Sequence, residues 1–160
     1  TAVSLQGMYT ALVKVNRVTH FTQWTIAHSH MGLYAFVTFV IFGAMYYIFP
    51  RITGYQWPSR VLIAWHFWLV VIGIALYVTA LSFGGVFQGL ALERGALPFS
   101  ATVEVTIPYL WLRTAAGVLL VAGHLVFAYL CLAMVRRREA DTTFPAWQRF
   151  VPIMVDTSAH

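Results

Sequence analysis

An all-α membrane protein with three transmembrane helices is the fold class this sequence predicts, and three observations carry it. Of the 160 residues, 60% are hydrophobic and 9% charged, whereas a soluble domain is nearer half apolar and a quarter charged. A chain this short cannot bury so much apolar surface within itself. The charges also fall in short breaks between three long apolar runs, as the anchors of membrane helices do.

Residues 1–23 are mixed. Leu5, Met8, Leu12 and Val15 keep helical spacing, but Lys14, Asn16 and Arg17 interrupt it. This segment reads as an outer-side helix end or an interfacial stretch leading into the first span. That span covers about 24–49, from Trp24 to Phe49, and is expected to end at Pro50 and Arg51. A run of this length crosses the roughly 30 Å hydrocarbon core with some tilt. Gly54 and Pro58 mark the following loop as a turn. The second span covers about 61–90 and carries His66, then Gly73, Gly84, Gly85 and Gly89. Small residues let helices approach closely in lipid. After a mixed segment, 91–106, the third span covers about 107–135 and stops at Arg136, Arg137 and Arg138. The three spans make one transmembrane unit, 24–135. Residues 136–160 read as a cytoplasmic tail.

Orientation follows from the basic residues, which favour the cytoplasmic side while acidic ones count little. Arg51, Arg60 and the arginine triplet lie at one side. Lys14, Arg17 and Arg94, with Glu93 and Glu104, lie at the other. The C-terminus is therefore expected inside, and His28 and His30 in the outer half of the first span. A net charge of +5 raises nucleic acid as a partner, but charges confined to span breaks argue for membrane anchoring instead. Cys131, the single cysteine, reads as a small buried hydrophobe. No signal peptide is apparent. With Thr1 in first place and no Met, either processing or a fragment is expected.

The chemistry concentrates in Ala27-His28-Ser29-His30. Ionisable side chains inside a span are expensive and mark function by default. Successive helical residues turn by about 100°, so His28 and His30 project about 200° apart. One metal ion held by both would want i, i+4 spacing. Opposite faces suit two separate partners, and neutral imidazole is an axial ligand of haem iron. Trp24, Met31, Gly32, Tyr34, Phe36 and Phe39 offer apolar and aromatic walls for a flat macrocycle. The other reading has each histidine hydrogen-bonding across helices and holding nothing.

The stretch from His20 to His30, His20-Phe-Thr-Gln-Trp-Thr-Ile-Ala-His28-Ser-His30, resembles the tenth transmembrane helix of the catalytic subunit of haem–copper oxidases. Trp65-His66-Phe67-Trp68 through Tyr77, and Gly85-Val86-Phe87-Gln88-Gly89-Leu90, are similar to the eleventh helix of the cbb-type cytochrome c oxidases. Val103 to Arg113, followed by Gly117, resembles the approach to the twelfth. The likeness covers 6–135, and nitric oxide reductases share the histidine pair. It implies that the three spans are part of a twelve-helix bundle. His28 would be the axial ligand of a high-spin haem and His30 an axial ligand of a low-spin haem. His20 would contact a haem propionate, or else be an interfacial histidine in water. The cofactors implied are two haems, of b type. The copper ligands, the second low-spin ligand and a cross-linked tyrosine would come from helices outside this chain.

The function so implied is the haem-binding part of a respiratory terminal oxidase catalytic subunit. It would pass electrons from the low-spin to the high-spin haem for reduction of oxygen to water with proton translocation. Implied partners are the remaining helices of the subunit or a split-subunit partner, c-type cytochrome subunits and membrane lipid. The implied setting is a bacterial inner membrane. A nitric oxide reductase portion and a non-catalytic membrane scaffold are the alternatives. Elsewhere, His66 is expected to hydrogen-bond between helices and His124 to pack. Glu104 would cap a helix or meet solvent, the tyrosines would pack, and Trp57 and Trp147 would anchor at interfaces.

Overall fold

A computed structural model describes residues 1–95 and 98–140, with the side chains of 137–140 left aside. Residues 141–160, including Trp147 and most of the expected tail, lie outside the described residues. The described chain is helical. Two short helices, α1 (Ala2–Ala11) and α2 (Val13–Thr19), precede three long rods. The first rod is α3 (Gln23–His30), a π-helical segment (Met31–Phe36) and α4 (Val37–Thr53) in continuous succession. The others are α5 (Arg60–Glu93) and α6 (Phe99–Ala140). All three rods are long and apolar enough to cross a membrane, over Gln23–Thr53, Arg60–Glu93 and Phe99–Arg136.

The helix ends follow from local chemistry. Thr22 caps α3, its hydroxyl accepting from Trp24 N at 3.3 Å. Ser59 caps α5 by accepting from Leu62 N at 3.3 Å. The first rod does not end at Pro50, as the sequence suggested, but runs on to Thr53 and stops at Gly54 in the left-handed region (φ 74°). A proline inside a helix deprives the carbonyl four residues back of its donor, here that of Tyr46. Trp57 Nε1 supplies the replacement, donating to Tyr46 O at 2.9 Å. Its ring also stacks on Phe49, with centroids 6.1 Å apart. Trp57 thus repairs the proline defect as well as standing near the helix end. At the other rod, α6 begins at Phe99, so Pro108 and Glu104 both lie within the helix. Glu104 is exposed and too far along to cap.

Glycines set the packing. α5 and α6 run antiparallel. A Cβ on Gly73 would lie 2.7 Å from Leu120 Cδ2, and one on Gly123 would lie 3.0 Å from Val70 Cγ2. Val70, Ile74 and Leu120 form the buried cluster between them, flanked by Tyr34, Phe39 and Tyr77. Near its Glu93 end, α5 meets the N-terminal segment at backbone distance. A Cβ on Gly85 would lie 2.7 Å from Trp24 Cα, and one on Gly89 would lie 2.7 Å from Val18 C. Polar bonds clamp the same region. Gln6 Nε2 donates to Ser82 Oγ at 3.0 Å, and Gln23 N to Gln88 Oε1 at 3.0 Å. Arg17 pairs with Glu93 at 2.8 Å, an exposed bridge of small energetic value. Much apolar surface stays outside: Leu33, Phe99 and Trp111 are each more than two-thirds exposed. Lipid or further helices must cover it.

Candidate haem-ligand site

The site lies in α3, where the rod leaves the α2–α3 turn. That turn holds Phe21 in the left-handed region (φ 59°), which costs a residue with a Cβ about 1–2 kcal/mol. Trp24 Nε1 braces it from the next helix by donating to Thr10 Oγ1 at 2.8 Å. His20 ends α2, is exposed, and meets Phe21 edge to face with centroids 4.0 Å apart.

His28 and His30 both fall in regular α-helix, so their angular separation is that of two α-helical steps. Beyond them the rod widens into the π segment, which contains Gly32. Single π turns inside α-helices recur at functional sites. The sequence carried no signal for this one.

The two rings have different neighbours. His30 Nδ1 lies 2.8 Å from its own helix's carbonyl, Ile26 O. A carbonyl can only accept, so Nδ1 donates, and in the neutral imidazole Nε2 then presents its lone pair. That is the tautomer a metal needs, with the second nitrogen orienting the ring. The ring lies over Tyr77 of α5, centroids 5.0 Å apart. It borders a cavity of about 270 Å³ shared with Ser29, Leu33 and Tyr34. His28 turns instead toward α1. A Cβ on Gly7 would lie 3.2 Å from His28 Cε1 and 3.6 Å from Nε2, so bare glycine backbone leaves that edge of the ring its room. His28 Nδ1 is buried without a partner. So is Oε1 of Gln6, beside Gly7, a residue the sequence reading passed over. Among the described residues no group of three or more His, Cys, Asp or Glu gathers to hold a metal ion.

A methyl at Gly7 must displace the His28 ring while leaving His30 untouched. Gly7→Ala is therefore expected to weaken whatever His28 holds several-fold, with the His30 site unchanged. Parallel ligand titrations and optical spectra of the variant complex would show it.

His66 and His124 join a second polar cluster. Tyr46 Oη lies 2.7 Å from His66 Nδ1, the interhelical bond expected for His66. His124 does more than pack, since its Nε2 bonds Tyr34 Oη.

Comparison with known proteins gives the family. Residues 1–119 match the family model described as Cytochrome C and Quinol oxidase polypeptide I. A Bradyrhizobium diazoefficiens protein, "Cytochrome c oxidase subunit 1 homolog, bacteroid", is 36% identical over 153 residues, 89% of this chain and 27% of that protein. The Stutzerimonas stutzeri "Cbb3-type cytochrome c oxidase subunit CcoN1" is 36% identical over 133 residues, 79% of this chain and 28% of that protein. A nitric oxide reductase subunit of the same organism is 29% identical over 131 residues, covering 77% and 28%. The chain thus spans little more than a quarter of the length of these relatives. It belongs to the cytochrome c and quinol oxidase polypeptide I family.

Proposed function

We propose that this chain is the haem-binding part of a terminal oxidase catalytic subunit. In the whole protein it would help carry electrons from a low-spin to a high-spin haem, for reduction of oxygen to water with proton translocation. His30 would ligate the low-spin haem and His28 the high-spin one, both of b type. His20 would donate to a propionate. The observation that carries this reading is the hold on the His30 ring: its Nδ1 lies 2.8 Å from Ile26 O, and the residue borders a cavity.

Haem iron, when bound, supplies the one-electron and oxygen chemistry. The chain's own residues hold and orient. Ile26 O orients the His30 ring through its contact with Nδ1. Tyr77 limits the ring's rotation from α5. Gly7 gives the His28 ring its place against α1. His20 is exposed at the turn before α3. The copper site, the second low-spin ligand and the c-type cytochrome partners would come from outside this chain. The expected setting is a bacterial inner membrane, with the 136–160 end on the cytoplasmic side.

A nitric oxide reductase portion is a second reading, favoured by the 29% identical relative. Metal and haem analysis of the purified complex separates the readings. Two haems per copy of the chain with copper are expected. Two haems with non-haem iron and no copper would favour the reductase. A complex without haem would leave a membrane scaffold.

A further inference from the structure

α6 carries no proposed ligand, yet one of its side chains bonds a residue that walls the His30 cavity. That cavity is lined by Ser29, His30, Leu33 and Tyr34 of the first rod. Two of the four bring hydroxyls, and both are bonded elsewhere. Ser29 Oγ donates to Thr25 O of its own helix at 3.1 Å. Tyr34 Oη bonds His124 Nε2 on α6. Whichever of those two atoms carries the shared proton, the bond fixes the phenol tip at α6. Leu33 adds apolar surface, which leaves His30 to meet a ligand.

The hold on Tyr34 is built from several elements. Tyr34 follows His30 by four residues, a spacing that puts two side chains on one face of a helix. It sits in the π segment, Met31–Phe36. Its ring packs against the Val70, Ile74 and Leu120 cluster, as does Tyr77, whose ring lies beside that of His30. His124 is held in turn. The Phe42 ring lies 5.4 Å from it and the His66 ring 6.1 Å, and His66 Nδ1 is itself 2.7 Å from Tyr46 Oη. Tyr34 therefore has a fixed far end and offers its flank to the cavity. A tyrosine hydroxyl inside a membrane bundle needs a partner. Freed from His124, the phenol would turn to find another, and the cavity beside His30 is the open space it borders.

We propose that His124 is a positioning residue for the haem held by His30: it keeps the Tyr34 hydroxyl at α6, which keeps the haem's surroundings apolar and its midpoint potential high. The proposal rests on the haem reading above. An iron–porphyrin core carries one net positive charge when ferric, and one electron removes it. Apolar surroundings disfavour a charge, so they favour the reduced form. Burial and polarity around the iron are among the levers that set its potential. A hydroxyl turned into the cavity would stabilise the ferric form and lower the potential. His124 acts only through Tyr34, from the far side of its ring.

Redox titration of the low-spin optical band in the intact oxidase tests this. His124→Leu keeps bulk and removes the bond. At the wild-type midpoint, its ratio of reduced to oxidised low-spin haem is expected to fall several-fold. Tyr34→Phe has no hydroxyl to turn, so its ratio should stay near the wild-type value. The double variant Tyr34→Phe/His124→Leu should return to the Tyr34→Phe value, a rescue that a mere packing role for His124 would not give. An unchanged ratio in His124→Leu overturns the proposal, as does a double variant as low as His124→Leu. Where the His124 variants do not assemble, Tyr34→Phe decides: a several-fold fall there overturns the proposal, and a wild-type ratio supports it. A low-spin band that survives His30→Ala defeats the haem assignment itself, whatever the His124 variants show.

Discussion

Gly89→Ala is expected to be among the most damaging single substitutions in this chain. The new Cβ would enter the backbone of α2 at Val18, 2.7 Å from the carbonyl carbon and closer still to the oxygen. Backbone cannot rotate away as a side chain can. Relief requires α2 to move bodily, and α2 is joined to α3 through the strained Phe21 turn. The cost should reach the upper end for overpacking, about 3 kcal/mol. Gly73→Ala is the informative contrast. Its Cβ meets Leu120 Cδ2 and Cγ and, at 3.2 Å, the Ala116 carbonyl oxygen; the closest contacts are to a side chain that can shift, so a smaller cost of about 1–2 kcal/mol is expected. Thermal unfolding of the two variant complexes, scored by loss of assembly, should separate them clearly. Equal midpoints would mean that α2 does not cross α5 at Gly89.

The second large effect is selective. His30→Ala should remove the low-spin haem absorption and leave carbon monoxide binding in place. His28→Ala should abolish carbon monoxide binding and keep the low-spin band. The selectivity comes from geometry: the His30 ring packs over Tyr77 of α5, while the His28 ring lies against α1 at Gly7. Cutting back one ring therefore leaves the other's supports in place. Near-complete loss of each signal is expected, because alanine offers the iron no donor. Loss of both signals in either variant, with the complex intact, would argue that the rings share one site. Retention of both in the double variant would defeat the assignment.

Hydropathy made the three rods legible, because lipid demands long unbroken apolar runs and the charges fall between them. The histidine pair was legible because two ionisable groups in one span are rare and costly. Close approach at the α5 glycines was foreseeable from their size. Their partners were not, because Val18 and Trp24 are far away in sequence and nothing local encodes the pairing. Pro50 misled for a related reason. Its helix-breaking tendency is local, whereas the repair by Trp57 comes from beyond the turn. The π segment left no mark in the apolar pattern, since both helix types bury the same residues in lipid. His124 read as packing because its hydrogen bond depends on Tyr34, which sits on another rod.

Anomalous diffraction at the iron edge, from crystals of the intact oxidase holding this chain, examines the central claim at its source. The account predicts two iron peaks, one within bonding distance of an imidazole nitrogen of His30 and one within bonding distance of His28. A single peak, or irons beside neither imidazole, would contradict it.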